Sequence, residues 1–358
     1  MEIKLQDKKI DILIPAYHAH DTLPRTLASI ASQTIVKDIT VYVCNDAGGD
    51  NYNDIIKSFA PYVDIVELLL PENGGCGVAR QYGIDHSTAP FFMCIDADDT
   101  LACPYTLFQM LDYINTEEKF IMVSGVFSEE LGTPDGKLQF RDHKEDMIWM
   151  HGKLYRRSFI ERHNIRFNET RSNEDNGFNT TIRLISNPNE KIMFIPDLVY
   201  YWHFKHDSIT RVNNFEYTFN QSFVGYTQNM IHAVKRAREE CPAEPKEINA
   251  SVMRQINVWA MQVMAELYVY LEQTVHRDPR FITQNFGMCK KYYDEIFAPY
   301  LLTVPKDKLD LVFAQVIFNH AAENKLFTCS ATMNQFLDQM KGAPVNEQAS
   351  KPEQNPTA

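Results

Sequence analysis

The first hundred residues alternate between short apolar runs and amphipathic segments. The apolar runs are predicted strands and cover residues 10–14, 39–43, 65–70 and 91–95. Leu23, Leu27 and Ile30 recur at helical spacing after the first run, and a glycine-rich loop opens another helix before the fourth. Strands that alternate with helices predict βαβ units with right-handed crossovers. This half of the chain is therefore a predicted α/β fold with a mostly parallel sheet.

The pattern changes to helices after about residue 213. Apolar residues recur on one face over residues 219–234 and 248–270, and Pro242 and Pro245 separate the two stretches, which predicts a helical hairpin. Further predicted helices cover residues 281–301, 306–324 and 332–341. We therefore expect an α/β domain over residues 1–212, an all-α C-terminal extension over residues 213–341 and a disordered, polar tail over residues 342–358.

Three carboxylates follow the fourth predicted strand directly. The run Phe91–Cys94 continues through Ile95 into Asp96, Asp98 and Asp99. A buried strand that ends in clustered carboxylates can present a divalent cation at the ligand crevice of an open α/β sheet. Taken alone, Asp-x-Asp is also a common acidic turn, so the neighbouring motifs decide how much it indicates.

Charge and composition narrow the classes of partner and location. The formal net charge of −12 disfavours nucleic acid as a partner, although a local basic strip leaves that possibility open; the strip would comprise Lys153, Arg156, Arg157, Lys205 and Arg211. The sequence contains no run of about 18 apolar residues, so no transmembrane helix is predicted. Residues 1–7 lack the apolar core of a signal peptide. Seven scattered cysteines are typical of reduced thiols, which predicts a cytoplasmic protein.

Seven short motifs occur in an order that resembles the family 2 glycosyltransferases of GT-A fold, a Rossmann-like nucleotide-sugar-binding fold. They are Ile14-Pro15-Ala16-Tyr17, Asn45 to Asp50, Asn73 to Arg80, Asp96-Ala97-Asp98-Asp99, His151 to Arg157, Glu174-Asp175, and Tyr200-Tyr201-Trp202 with residues 208–210. The resemblance covers roughly residues 8–212. The chain departs from the family pattern at Asn45 and Gly48, where Asp and Ser are usual.

The resemblance implies a donor site for a nucleotide-diphosphate sugar, with UDP as the default nucleotide. It implies that Asp46 accepts a hydrogen bond from the base, that Pro15 and Tyr17 line the same pocket, and that Asp96 contacts the ribose. The remaining predicted donor contacts are Gly75 of the glycine-rich loop, Asp99, and Arg80 and Arg211, which would steady the phosphates or the acidic loop.

The resemblance also implies a metal and a general base. Asp98, with Asp96, would bind Mn²⁺ or Mg²⁺, and His203 or His206 would complete the coordination, His206 being slightly favoured. Asp175, beside Glu174, would take the proton of the acceptor hydroxyl in an inverting hexosyltransferase or related enzyme. His151 and Lys153 are predicted acceptor contacts. The acceptor itself stays open between a glycan or polymer, a protein and a modified nucleic acid base, and the C-terminal helices are predicted to bind the acceptor, to form a homo-oligomer, or both.

Two other functions are compatible with parts of the sequence. Asp96-Ala97-Asp98-Asp99-Thr100 also matches the Asp-x-Asp-x-Thr of haloacid-dehalogenase-like phosphohydrolases, in which Asp96 would be the nucleophile. That motif usually follows the first strand, however, whereas three predicted strands precede it here. A catalytically inactive nucleotide-sugar-binding module would lack the base or the metal ligands, and both sets are present.

Overall fold

The computed structural model describes residues 8–133, 136–205, 221–241, 246–277, 282–301, 307, 310–316 and 333–342. The chain divides into two compact units, Met1–Val212 and Asn213–Ala358. Two predicted site residues, His206 and Arg211, lie outside the described residues, as does the predicted disordered tail beyond residue 342.

The first unit is built on one nine-stranded sheet. In chain order the strands are β1 (Ile10–Ala16), β2 (Ile39–Asn45), β3 (Asp64–Leu69), β4 (Phe91–Cys94), β5 (Thr100–Leu101), β6 (Phe120–Gly132), β7 (Leu138–His143), β8 (Lys153–Arg156) and β9 (Lys191–Trp202). Their order in the sheet is β3-β2-β1-β4-β8-β6-β9-β5, and β7 pairs with β6 outside this path.

The first four strands form the parallel half of the sheet that the sequence predicts. β1 lies between β2 and β4 and is parallel to both, with Leu13 opposite Tyr42 on one side and Cys94 on the other. All residues of β1, β2 and β4 are buried, because helices cover both faces of a parallel sheet. The carboxyl ends of these three strands therefore meet at one edge, where the motifs after each of them come together.

The second half of the sheet is mixed. β8 is antiparallel to both β4 and β6, β9 is parallel to β6, and the short β5 is antiparallel to the end of β9. The sequence pattern did not predict β5, β7 or β8. β5 has only two residues, β7 is exposed along most of its length, and β8 carries cationic side chains whose burial depends on distant partners.

The helices of the first unit include the two predicted after the first strand and before the fourth, whereas the sequence pattern did not predict those over residues 106–115 and 157–162. They are α1 (Leu23–Ala31), α2 (Asn53–Phe59), α3 (Cys76–His86), α4 (Thr106–Asn115), α5 (Arg157–Arg162) and α6 (Glu174–Ile185). The predicted apolar face of α1 is buried in the main core against the sheet. The predicted α/β class with a GT-A type of sheet and a helical C-terminal part is thus confirmed.

The second unit is helical in its described residues apart from Cys241, which follows α7. Its helices are α7 (Ser222–Glu240), α8 (Lys246–Arg277), α9 (Ile282–Tyr292), a π-helical turn (Tyr293–Phe297), α10 (Ala298–Leu301) and α11 (Met333–Gly342), and residues 310–316 are helical as well. Phe223, Met230 and Val234 of α7 are buried, as are Val263 and Leu267 of α8. These residues belong to the predicted stripes, so the stripes form a core. In the described part of the chain, no helix combines the length and apolar character needed to cross a membrane.

Candidate active site

Asp46, at the end of β2, organises the glycine loop, residues 73–77. Its Oδ1 accepts a hydrogen bond from Gly74 N at 2.8 Å, and its Oδ2 accepts bonds from Gly75 N at 2.8 Å and Asn73 Nδ2 at 3.1 Å. Gly75 has a φ of 89°, which glycine adopts without a steric penalty, and it caps α3. The carboxylate predicted to read the base is 3% exposed and holds this loop in place.

Both departures from the family pattern after β2 have local explanations. Asn45 Nδ2 donates to Glu67 Oε1 at 3.0 Å and to the Asp50 carbonyl at 3.1 Å, whereas an aspartate in its place would repel Glu67. A Cβ on Gly48 would lie 2.9 Å from Tyr17 Cδ2. Tyr17 is 52% exposed and covers this glycine, while Pro15 is buried within β1.

Ala47, between these positions, has a φ of 53°, a left-handed conformation that costs an L-residue about 1–2 kcal/mol. We expect Ala47→Gly to raise the free energy of unfolding by up to about 1 kcal/mol, because relief of strain exceeds the added chain entropy of glycine. Denaturant unfolding measures the change. Ala28→Gly, at an exposed position inside α1, is the matched control and should lower stability by about 0.5–1 kcal/mol. A loss of stability in Ala47→Gly equal to that of the control would show that position 47 is not strained.

Arg80 joins two carboxylates from different elements. It lies on α3 and is 4% exposed; Nη2 donates to Asp96 Oδ1 at 2.6 Å and Nη1 donates to Glu174 Oε1 at 3.0 Å. Burial acts to raise the pKa of Asp96, but the guanidinium of Arg80 and the ring of His151 hold that pKa below its usual range. Both terminal nitrogens of Arg80 are bonded to carboxylates, an arrangement that is compatible with one of its two predicted roles, the steadying of the acidic loop.

Glu174 and Asp175 begin α6 but have different environments. Glu174 is 9% exposed and bound by Arg80. Asp175 is half-buried, its Oδ1 accepts from the amide of Asn176 at 2.8 Å, and no cation forms an ion pair with it in the described residues. Burial raises the pKa of Asp175 to about 7, and the Glu174 carboxylate adds to the shift. A carboxyl group with this pKa can accept a proton near neutral pH.

Asp96, Asp99 and His151 converge below the end of β4. One donor atom from each lies within 4.8 Å of the others; His151 Nε2 is 3.5 Å from Asp96 Oδ2 and 3.7 Å from Asp99 Oδ2. The imidazole is 4% exposed and stacks on Tyr200 with 4.8 Å between ring centroids. Asp99 accepts from the Tyr200 hydroxyl at 2.7 Å and from His203 N at 2.9 Å. We call these three residues the Asp-Asp-His cluster.

Asp98, the predicted metal ligand, lies beside this cluster and is not one of its three members. It is half-buried, and burial together with the Asp96 carboxylate raises its pKa. Arg25 of α1 donates to the Asp98 carbonyl at 2.5 Å. His203 contacts Thr100 Oγ1 at 2.8 Å and Glu130 Oε1 at 2.9 Å through its two ring nitrogens.

The donor atoms of this region fit a divalent cation. Burial raises the pKa of Asp99 well above its usual range, and repulsion from the like charges of Asp96 and Asp98 adds to the shift. Carboxylate oxygens suit Mg²⁺ and Mn²⁺, and an imidazole nitrogen is acceptable to a transition ion such as Mn²⁺. Burial lowers the pKa of His151, which favours the neutral form that can bind a metal.

Lys153 is completely buried, so it has no exposed surface for the acceptor contact predicted from the sequence. Its ammonium lies 3.0 Å from Asp146 Oδ1, and that carboxylate also accepts from the amides of Ile148 and Trp149. Trp149 in turn stacks near His151, with 5.9 Å between ring centroids. Lys153 therefore supports the loop that carries Trp149.

Comparison with known proteins identifies the class. The family model described as Glycosyl transferase family 2 matches residues 11–173, and the first unit of this chain belongs to that family. Glycosyltransferase GlyA of Streptococcus pneumoniae serotype 4 is 24% identical over 258 residues, which is 66% of this chain and 34% of GlyA. The uncharacterized glycosyltransferase YibD of Escherichia coli K12 is 34% identical over 91 residues, 25% of this chain and 26% of YibD. The matches thus span about a quarter to a third of these two relatives' lengths. The family assignment leaves the phosphohydrolase alternative without support.

Solved structures share the fold. A crystal structure of residues 1-349 of S. aureus TarS superposes with a TM-score of 0.54 at 16% identity, covering 90% of this chain and 93% of that one. The same fragment in complex with UDP gives a TM-score of 0.53 at 16% identity, covering 91% of this chain and 94% of that one. At this identity the likeness shows the fold alone.

Proposed function

We propose that the chain is a metal-dependent, inverting hexosyltransferase that moves a sugar from a UDP-sugar to an acceptor hydroxyl. One observation carries the proposal: Arg80 binds both Asp96, after β4, and Glu174, at the start of α6. This bridge holds the first turn of α6, with Asp175, at the carboxylate edge of the sheet. The bridge therefore links the proposed base to the proposed site for the cation and the sugar donor.

In the proposed reaction the acceptor oxygen attacks the anomeric carbon from the face opposite the leaving group. The new C–O bond forms as the bond to the diphosphate breaks, and the electron pair leaves on the phosphate oxygen. Asp175 takes the hydroxyl proton. Because the oxygen attacks opposite the leaving group, the configuration at the anomeric carbon inverts. A bound Mn²⁺ or Mg²⁺ would neutralise charge on the leaving diphosphate as a Lewis acid.

The residues proposed to hold that cation are Asp96, Asp98 and His151. Asp98 is half-buried, whereas Asp99 is buried. Asp99 is committed to Tyr200 and His203 and is fully buried, so we assign it mainly to shaping the loop. His151, one of the two predicted acceptor contacts, is proposed instead as a ligand of the cation or as an ion-pair partner of Asp96.

UDP is the proposed nucleotide for two reasons. The TarS fragment with this fold was solved with UDP, and the resemblance assigns the base contact to Asp46, a carboxylate that suits a pyrimidine imide and that here also holds the glycine loop. The acceptor is proposed to be a glycan or polymer hydroxyl. The helical second unit is proposed to bind the acceptor or to pair with a second copy of the chain.

Nucleotide release tests the proposal. The purified chain is incubated with Mn²⁺ and a panel of nucleotide sugars, beginning with UDP-N-acetylglucosamine, with and without candidate acceptors, and free nucleotide is measured by mass spectrometry. We expect release from one donor that is lost with EDTA and in Asp98→Ala. Metal-dependent cleavage of a phosphate monoester, with no release from any sugar donor, would contradict the proposal.

The raised pKa of Asp175 predicts the pH dependence of transfer. A base must be deprotonated to act, so kcat/KM should fall about tenfold per pH unit below pH 7 and level off above it. A pH profile on the donor identified by the panel measures this limb. A kcat/KM that does not change between pH 5.5 and about 7.5 would exclude a general base with a pKa of about 7.

A further inference from the structure

An exposed arginine fastens the segment before α6 to the glycine loop. Arg171 Nη1 donates to Asn73 Oδ1 at 2.6 Å, and Arg171 Nη2 donates to the Asn73 carbonyl at 3.0 Å. Asn73 Nδ2 then donates to the carbonyl oxygen of Asp46 at 3.0 Å and to its Oδ2 at 3.1 Å. One series of hydrogen bonds therefore connects the segment that leads to the proposed base with the end of β2.

Close packing accompanies these hydrogen bonds. A Cβ on Gly75 would lie 3.3 Å from Arg171 Nη1, and a Cβ on Gly77 would lie 2.8 Å from Glu174 Cγ. The glycines of the loop thus admit the Arg171 and Glu174 side chains against the backbone, which larger residues would prevent. Arg171, in the segment before α6, and Glu174, the first residue of α6, therefore each pack against a glycine of the loop.

We propose that Arg171 is a positioning residue, a latch that holds the start of α6 at a fixed position relative to the glycine loop. A bound donor and Asp175 then meet in the reactive geometry. The inference rests on the proposed glycosyl transfer. Arg80 holds Glu174 at one point, and a second attachment at Arg171 fixes the orientation of the segment about that point. Two parallel N–H···O bonds suit this task because they fix direction as well as distance.

The chain offers a matched control on the same segment. Arg166 is also exposed and also binds one partner with two nitrogens, donating to Asp85 Oδ1 at 3.0 Å and Oδ2 at 2.6 Å. Asp85 lies at the far end of α3, so this pair fastens the segment to the helix without touching the glycine loop. Arg171→Ala and Arg166→Ala remove equivalent bonds and differ in what those bonds hold.

Amide hydrogen exchange tests the latch without requiring activity. In Arg171→Ala we expect exchange to become about fivefold faster or more in residues 73–77 and in residues 172–177, because both lose a common attachment. Arg166→Ala should leave the glycine loop unchanged. An exchange rate across residues 73–77 of Arg171→Ala that equals the wild-type rate would overturn the inference. So would an equal rise of that rate in Arg166→Ala.

Turnover then shows whether the position of α6 relative to the glycine loop affects the rate of sugar transfer. On the donor that the wild-type protein cleaves, Arg171→Ala should lower kcat by about tenfold with less than about a threefold change in donor KM, since misplacement of a base by about 1 Å is costly. Arg171→Lys, which keeps the charge but cannot form both bonds, should be intermediate, and Arg166→Ala should be unchanged. Activity of Arg171→Ala equal to that of Arg166→Ala would overturn the positioning role. A wild-type protein that cleaves no donor would instead refute the proposed function, and the exchange measurement would still decide whether the latch exists.

Discussion

Asp175→Asn is expected to lower the rate of sugar transfer by about 10²–10⁴-fold while leaving donor binding within about twofold of wild type. The amide has the shape of the carboxyl group but cannot take a proton from the acceptor. Asp175 has no cationic ion-pair partner among the described residues, so its replacement should disturb little of the surrounding structure. Transfer is measured with saturating donor and acceptor, and donor affinity is measured separately by titration with UDP and Mn²⁺.

The pair of measurements separates a base from a structural residue. A structural role would lower UDP affinity and thermal stability together with transfer, whereas a base lowers transfer alone. The acid limb of the pH profile should also disappear from the residual activity, because the group that titrates near pH 7 is gone. Transfer by Asp175→Asn at the wild-type rate would refute the assignment, and the remaining carboxylates of the site would have to be tested in its place.

Arg80→Met is expected to lower the free energy of unfolding of the first unit by about 3 kcal/mol at pH 7. Removing one partner of a buried pair leaves uncompensated charge and typically costs about 3–5 kcal/mol. The lower end applies because the side chain of Asp96 is still 29% exposed and its carboxylate can be hydrated. Glu174, with a side chain 12% exposed, should contribute the larger share. Denaturant unfolding of the purified variant measures the loss.

Two comparisons check the cause. Arg166→Met, which breaks an exposed pair with Asp85, should cost less than about 1 kcal/mol. The deficit of Arg80→Met should shrink as the pH falls, because without the guanidinium the pKa of Asp96 is no longer held down and its carboxylate is neutralised more readily. Adding Glu174→Gln to Arg80→Met should recover part of the stability. A deficit that does not depend on pH and persists in the double variant would indicate lost packing instead of unpaired charge.

The sequence by itself determined the elements that depend on local pattern. The strands β1 to β4 and the apolar face of α1 follow from runs and spacings that each segment carries alone. Parallel order and right-handed crossovers then place the ends of these strands at one edge. The motifs after β1, β2 and β4 were therefore predictable as neighbours before any coordinate was known.

Tertiary structure decided which partner each charged residue has. Arg80 was a candidate for the phosphates or for the acidic loop, and its two bonds reach residues 16 and 94 positions further along the chain. Lys153 was a candidate for the acceptor, and burial beside Asp146 within a strand that the pattern did not predict gives it a supporting role. Arg171 has no local signal at all, since its partner Asn73 is 98 residues away.

The physical reason lies in the range of the interactions. Hydrophobic periodicity and turn preference act between residues a few positions apart, so one sequence window contains them. A buried ion pair or hydrogen bond joins whichever polar groups the fold brings within about 3 Å, and the sequence records neither the distance nor the burial that sets its strength. For this protein the strands and helices were therefore determined locally, whereas the assembly of Asp96, Glu174 and Asp175 around Arg80 was decided by the packing of the sheet and its helices.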